Sequence, residues 1–145
     1  MIYLEKNTAN DVVLELSVLS PTSVTFLFGF VWENGNAPEV RYLTTPNIST
    51  ALDRYDRFTF VESATGSTGA FYSGTGPTGM FLNPGQYTYT VWGSTTGITA
   101  GNVPTITANA PISSGRMVVA GTAGTGPTVY GSTFLAPNPV PNVYA

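Results

Sequence analysis

The chain has 145 residues, of which 42% are hydrophobic and only 9% are charged, and its formal net charge is −3. This length suits a single domain, and an aromatic content of 12% with so few charges is unlike the charge-rich composition of disordered chains. Five Lys and Arg residues are too few for the clustered basic surface that binds phosphate backbones, so we expect no nucleic-acid partner.

Residue types that carry most protein chemistry are absent. The sequence has no Cys and no His, which excludes disulfides, thiolate nucleophiles and a serine triad of the usual form. Its first residues, MIYLEKNTAND, lack the basic start and apolar core of a signal peptide, and no run reaches the roughly 18 apolar residues of a membrane span. We therefore expect a non-enzymatic protein that is made in the cytoplasm and has no cofactor, metal or membrane contact.

The first half of the chain reads as strands and turns. Residues 12–20 alternate, which predicts a strand with one apolar face made of Val12, Leu14, Leu16 and Val18. Residues 24–32 predict a second strand that has Val24, Phe26, Phe28, Phe30 and Trp32 on one face. Its other face is also apolar, which indicates either a strand covered on both sides or a face that meets a partner. Asn34–Gly35 signals a hairpin turn into a strand at 40–44.

The middle of the chain alternates between loops and short strands. Residues 46–56 predict a loop with one helical turn, and residues 57–62 predict a strand with Phe58 and Phe60 facing inward. Residues 63–79 are rich in Gly, Ser and Thr and predict turns around a short segment at 70–72.

The last predicted strands follow the turn Asn83–Pro84–Gly85. Tyr87 stands just after this turn, in the position of a tyrosine corner, where the hydroxyl bonds to the backbone. Residues 94–114 predict an irregular connection and residues 116–120 a late strand. About seven short strands without a helical period indicate an all-β, antiparallel β-sandwich of the immunoglobulin-like or Greek-key kind.

Two sets of side chains are candidates for a functional site. Asp53, Asp56 and Glu62 are the carboxylates that could hold Ca²⁺ or flank a glycosidic bond, although a solvated loop with Asp53–Arg54 and Asp56–Arg57 pairs is the favoured interpretation. An aromatic platform for stacking sugar could use Trp32, Trp92 and Tyr72, together with Tyr89. The favoured interpretation of these rings is a role in the core or in a subunit contact.

The segment 122–145 differs from the rest because it has no charged side chain and four prolines. Its apolar residues are Val129, Tyr130, Phe134, Leu135, Val140, Val143 and Tyr144. Ordering costs about 1–2 kcal/mol per residue, and burying these side chains returns about 1.5–3 kcal/mol each, which is less than the total cost. We therefore predict a body, residues 1–121, and an extended proline-rich C-terminal arm, residues 122–145, that binds a partner through those apolar side chains.

Several stretches carry a resemblance to a known family. They are MIYLEKNTANDVVLEL at 1–16, TFLFGFVW at 25–32, the pattern SxxxxRYDRFTFVE at 49–62, LNPGQYTYTV at 82–91 and GRMVVAG at 115–121. Together they resemble small virion proteins of tailed bacteriophages, particularly crAss-like and related phages of Bacteroidetes hosts. The resemblance covers residues 1–121, and the chain departs from the family in having fewer charged residues on its outer strands.

The resemblance implies an immunoglobulin-like or related sandwich that serves as a structural component of a virion, and it carries no active-site residues. The expected function is an auxiliary or decoration protein that binds the major capsid protein or other virion proteins through its arm and body. It would be present in many copies per particle, and self-association is left open. The alternative is a carbohydrate-binding or adhesin-type module on a virion fibre or a cell surface, with Trp32, Trp92 and Tyr72 stacking on glycans.

Overall fold

The computed structural model describes residues 1–33, 39–74 and 78–121. Their strands and helices are, in chain order, β1 (Ile2–Leu4), β2 (Thr8–Leu14), β3 (Thr25–Trp32), β4 (Val40–Thr44), β5 (Asp56–Ser67), β6 (Phe71–Ser73), β7 (Gly85–Ser94), a 3-10 turn (Ala100–Asn102), α1 (Val103–Thr107) and β8 (Ser113–Val119). The predicted all-β class is confirmed. The predicted turn at Asn34–Gly35 and the predicted arm lie outside the described residues.

Six of the strands form one mixed sheet in the order β1-β8-β7-β3-β4-β6. The central neighbours β8, β7, β3 and β4 pair antiparallel, as expected for strands joined by hairpins and short connections. At the two edges, β1 pairs with β8 and β6 pairs with β4 in parallel. The prediction of a purely antiparallel arrangement is therefore wrong at both edges, where the partners are far apart in sequence.

The second sheet contains β2 and β5, which pair antiparallel and lie over the core face of β3. Phe58 packs edge-to-face on Phe26 and Phe28, with ring centroids 5.9 and 5.0 Å apart. Phe60 makes the same kind of contact with Phe28 and Phe30, at 5.0 and 5.9 Å. Edge-to-face pairs add to the energy of apolar burial. This row of rings confirms the inward positions predicted for Phe58 and Phe60 and the shared face predicted for Phe26, Phe28 and Phe30. Val24, which was predicted on that face too, precedes β3 and is 67% exposed.

The opposite face of the six-stranded sheet is covered in part by the connection between β7 and β8. Leu27 of β3 is fully buried there beneath Val103 and Ile106 of α1. The interpretation of β3 as a strand covered on both sides is confirmed at this point. Gly29 leaves room for the ring of Trp92, because a Cβ at residue 29 would lie 2.9 Å from that ring. None of the helices in the described ranges has the length and apolarity needed to cross a bilayer.

Several strand boundaries differ from the sequence prediction: β2 begins at Thr8 and β8 at Ser113, both earlier than predicted, and the ends of β2 and β5 also differ. The strand predicted at 12–20 ends at Leu14, because the Asp56 carboxylate binds the amides of the next residues and turns the chain. Val18 and Leu19 consequently lie outside the core, with 57% and 60% of their surface exposed. In contrast, β5 continues to Ser67 through a stretch that was predicted to form turns, since its end is bonded to Gly79 and Phe81.

Tyr87 forms the backbone contact predicted for it. Its hydroxyl donates a hydrogen bond of 2.8 Å to the carbonyl oxygen of Asn83, across a turn in which Gly85 has a positive φ of 138°. The side chain is buried at 2% exposure, and burial raises the pKa of the Tyr87 phenol above its usual range. This bond joins the start of β7 to the connection that precedes it.

Removing the Tyr87 hydroxyl is expected to lower the free energy of unfolding by about 1 kcal/mol, the usual net value of one such hydrogen bond. The variant is Tyr87→Phe, and the measurement is chemical denaturation followed by tryptophan fluorescence. The matched control is Tyr89→Phe, which removes a hydroxyl from the next inward position of β7. Equal losses in the two variants would contradict a special role for the bond to Asn83.

The strands define two ends of the body, which we call the loop pole and the chain-end pole. The loop pole contains the connections 15–24, 45–55 and 95–112, and it lies where Thr25 of β3 pairs with Ser94 of β7. The chain-end pole lies where Gly85 pairs with Val119, and Ala120 donates a hydrogen bond of 2.8 Å to the carbonyl of Leu4 there. Gly121, the last described residue, therefore lies at the pole opposite the three long connections.

Candidate binding cleft at the loop pole

A cleft of about 610 Å³ opens at the loop pole. Its polar lining consists mainly of hydroxyl and amide side chains, from Ser17, Ser23, Thr25, Thr45, Asn47 and Ser49. Its apolar lining consists of Val24, Phe26, Pro46, Leu52 and Ile98. No Asp, Glu, Lys or Arg is among the described residues that line it, so the cleft suits a ligand without net charge.

Asp56 lies beneath this cleft and holds two of its loops together. Its Oδ2 accepts hydrogen bonds from the amides of Leu16 and Ser17, at 2.6 and 2.7 Å. Its Oδ1 accepts from the Ser17 hydroxyl and, at 2.6 Å, from Nδ2 of Asn47. Burial alone would raise the pKa of Asp56, but these hydrogen bonds outweigh it and hold the pKa below its usual value. Asp56 is therefore a buried carboxylate that positions the cleft walls.

Asn47 continues the network on the cleft side. Its Oδ1 accepts hydrogen bonds of 3.1 Å from the amides of Ser49 and Arg57. The Ser49 hydroxyl then bonds to the carbonyl of Tyr55 at 2.7 Å, and Tyr55 closes the predicted helical turn by a 3.0 Å bond to the carbonyl of Ala51. Because these bonds are local and mutually connected, the 45–55 loop presents a defined surface to the cleft.

Exposed apolar side chains are concentrated at the loop pole, and two of them, Val24 and Leu52, line the cleft. Five of the nine large hydrophobic side chains that are exposed in the described residues belong to the loop pole: Val18 (57%), Leu19 (60%), Val24 (67%), Ile48 (48%) and Leu52 (52%). Scattered apolar side chains are normal on a monomer, whereas a group at one end of the body marks a surface that contacts another molecule. The loop pole is therefore the candidate contact surface of the body.

The aromatic residues considered for glycan stacking are not brought together. Trp32 follows Phe30 on the core side of β3 and packs against the main core, as does Tyr72. Trp92 pairs with Leu27 and packs on the opposite face of the sheet. Within the described residues both indole nitrogens are buried without a hydrogen-bond partner, and the Tyr72 hydroxyl accepts a bond from the Gly79 amide. The rings act in packing and form no common platform in this structure.

The three candidate carboxylates also lie apart. Asp56 and Glu62 are at the two ends of the buried face of β5, about 20 Å apart at the rise of an extended strand, and Asp53 is exposed on the 45–55 loop. The predicted neutralisation of Asp56 by Arg57 is wrong, since Arg57 pairs with Asp11 at 2.5 Å across the β2–β5 ladder. The hydrogen bond from Arg57 lowers the pKa of Asp11. No group of three or more Asp and Glu side chains gathers in the described parts of the chain.

Glu62 organises the chain-end pole as Asp56 organises the loop pole. Its Oε2 lies 2.6 Å from Nζ of Lys6 and accepts a 3.0 Å hydrogen bond from the Leu82 amide. Its Oε1 accepts a 2.9 Å bond from the amide of Asn7, the turn residue with a φ of 58°. Lys6 also donates to the Leu82 carbonyl at 2.7 Å and lies 4.3 Å from the centre of the Phe81 ring.

The predicted partner-binding residues of the arm lie outside the described residues, so their contacts stay a prediction. No protein-family model matches the chain, and comparisons with curated proteins and with solved structures also give no match.

Sequence reasoning did not find the cleft. Its polar lining comes from Ser, Thr and Asn in the connections 15–24 and 45–55 and at strand ends, which are far apart in the chain, and no local pattern distinguishes them from ordinary turn residues. The inward positions of Asp56 and Glu62, in contrast, were predictable from the sequence. Both share the alternation of Phe58 and Phe60, whose burial was predicted.

Proposed function

We propose that this chain is a non-enzymatic structural protein of a bacteriophage particle, an auxiliary or decoration protein held on the capsid in many copies. Its contacts would be the surfaces of the body and the segment 122–145, which fastens it to capsid protein or to a neighbouring copy. The supporting observation is the distribution of charge, because residues 63–145 contain a single charged side chain, Arg116. Isolated soluble domains depend on surface charge, whereas a protein packed among permanent neighbours does not.

We further propose that the body is an immunoglobulin-like β-sandwich. The order β8-β7-β3-β4 matches the G-F-C-C′ order of variable-type domains, and β2 paired with β5 matches strands B and E. The bond from Tyr87 to Asn83 occupies the place of the tyrosine corner. On this assignment the cleft lies at the end where such domains carry their binding loops, which is an analogy of fold and supports a contact role for that end.

The proposal is tested by rebinding purified protein to particles from which it has been genetically removed. The wild-type chain is expected to bind at saturable stoichiometry. The variant Phe134→Asp with Leu135→Asp is expected to bind at least about a hundredfold more weakly, since charges replace two apolar side chains that the proposed contact would bury. The matched control is Asn138→Asp with Asn142→Asp, which adds the same charge to the same segment at polar positions. A wild-type chain that does not bind particles contradicts the proposal.

One observation favours the second candidate, a carbohydrate-binding or adhesin-type module. The cleft is lined by hydroxyl and amide groups without charge, and this lining suits a neutral sugar. Such a module would bind immobilised glycans as a monomer, and the substitutions at Phe134 and Leu135 would leave that binding unchanged. Glycan binding that is unchanged by the substitutions at Phe134 and Leu135 would favour the second candidate over the first.

A further inference from the structure

The cleft and the start of the C-terminal segment lie at opposite poles of the body. The cleft is built on the loop pole, beside the Thr25–Ser94 pair, and Gly121 follows Val119 at the chain-end pole. The ten residues of β7 span the distance between the poles, which is about 33 Å at the rise of a strand. A copy of this chain therefore presents an opening at one end and continues into its C-terminal segment at the other.

The chemistry of the segment matches that of the cleft. At least 24 residues follow Gly121, and none of them is charged. Apolar side chains, among them the adjacent Phe134 and Leu135, are interspersed there with Ser, Thr, Asn and Pro. The cleft offers apolar side chains at its rim and hydroxyl or amide groups inside it, again without charge. An extended neutral peptide can bury its apolar side chains on such a rim while its backbone bonds to the hydroxyl and amide groups.

We infer that the cleft of one copy binds residues 122–145 of a neighbouring copy, so that copies join head to tail. The inference rests on the proposed structural function and specifies one partner of the segment, a second copy of this chain. In such a contact the two surfaces are different, so a pair of copies keeps one free cleft, on one copy, and one free segment, on the other. Repetition of the contact builds a ring or an open chain, the geometries suited to many copies on a large particle.

The surface of the body favours a neighbouring copy over the chain's own cleft. An extended segment of 24 residues reaches at most about 80 Å, so both routes are sterically possible. The route to its own cleft, however, runs back along the body. On one side it meets Arg116, which lies 3.2 Å from Gln86 and 3.9 Å from Glu33, and on the other side it meets the Asp11–Arg57 pair. Covering these charged groups with an uncharged segment is unfavourable.

The test uses the full chain and measures self-association by sedimentation velocity over a range of concentrations. The cleft variant is Val24→Asp with Leu52→Asp, two side chains that are 67% and 52% exposed, so the fold is not expected to change. We expect the wild type to associate reversibly, and the dissociation constant of the cleft variant to rise by about a hundredfold or more. The matched control is Val13→Asp, which replaces a 59% exposed valine of β2 that does not line the cleft and should associate as the wild type does.

Mixing two defective variants tests the head-to-tail geometry directly. The cleft variant keeps an intact segment, and the variant Phe134→Asp with Leu135→Asp keeps an intact cleft. Each alone is expected to be monomeric, and their mixture is expected to form a 1:1 dimer that grows no further. A symmetric contact between identical surfaces would not be restored by mixing.

Three results would overturn the inference: a wild-type chain that stays monomeric at all concentrations, a cleft variant that associates as the wild type does, or a mixture that fails to dimerise. A monomeric wild type is also the result expected if the chain's own segment or another ligand fills the cleft. Particle binding is a separate readout. If the chain coats particles without self-associating, only this inference is contradicted. If it self-associates but never binds particles, only the proposed function is contradicted.

Discussion

Replacing Asp56 with alanine is expected to lower the free energy of unfolding by about 3–5 kcal/mol, because the change leaves several buried donors without an acceptor. The carboxylate accepts hydrogen bonds from the amides of Leu16 and Ser17 and from the side chain of Asn47, all at 2.6–2.7 Å. These donors belong to two different loops, so the loss also separates the walls of the cleft. Urea denaturation followed by tryptophan fluorescence measures the effect.

The matched control for this prediction is Asp11→Ala. Asp11 is also an aspartate with a lowered pKa, but it is exposed and its hydrogen-bond donors are the side chains of Arg57 and Thr59. Exposed ion pairs contribute little because water and salt screen them. We therefore expect a much smaller loss for Asp11→Ala. If the two variants unfold at the same urea concentration, the buried network does not have the role assigned to it.

The pH dependence of stability follows from the direction of the Asp56 shift. Its pKa is lower in the folded protein, so the folded state favours the ionised form. The resulting stabilisation is present above the unfolded pKa of about 3.9 and is lost as pH falls through the folded pKa. Wild type and Asp56→Ala should therefore differ most near neutral pH and converge in acid. A difference that grows below pH 4 would mean that burial dominates and that the shift has the opposite sign.

Much of the fold follows from alternation in the sequence. The inward rows of β3, β5 and β7 were predictable because apolar residues recur at every second position over at least four residues. The bounds of β4 agree with the prediction at both ends. The bond from Tyr87 was also predictable, because a Pro–Gly turn directly before a strand is a local signal.

Other features depend on contacts that no local pattern contains. The end of β2 is set by a carboxylate 40 residues away in sequence, and the length of β5 is set by bonds to the segment around Met80. The parallel edge pairs join β1 to β8 and β4 to β6, and neither edge strand is longer than three residues. The cleft depends on all of these at once, because three loops meet only after the strands have paired.

The two carboxylates of β5 show that charge alone is a poor guide to exposure in this chain. Asp56 was assigned to a solvated loop because an arginine follows it, whereas its side chain is buried and bonded to backbone amides. Glu62, at the other end of the same buried face, is also enclosed. The two carboxylates flank Phe58 and Phe60, so the ring contacts hold the middle of the body while each carboxylate holds the loops at one pole. Their function is to position backbone, and the cleft is one consequence.

Replacing Glu62 with alanine is expected to cost about 3–5 kcal/mol, the usual effect of removing one partner from a buried ion pair. The side chains of Lys6 and Glu62 are only 7% and 1% exposed, so the change leaves the Lys6 ammonium enclosed with the Leu82 carbonyl and the Phe81 ring. It also leaves the amides of Asn7 and Leu82 without their acceptor. Thermal and urea unfolding of the purified chain measure the loss.

A double-mutant cycle separates the ion pair from the amide contacts. Lys6→Met keeps the length of the side chain and removes its charge, and the double variant Lys6→Met with Glu62→Ala removes both charges. Because the second substitution no longer isolates a buried ammonium, we expect the double variant to lose clearly less stability than the sum of the two single losses. The difference in stability between the double variant and Lys6→Met measures the bonds that Glu62 makes to Asn7 and Leu82. Strict additivity would show that Lys6 and Glu62 do not interact, and it would place the whole effect of Glu62 in its contacts with the backbone.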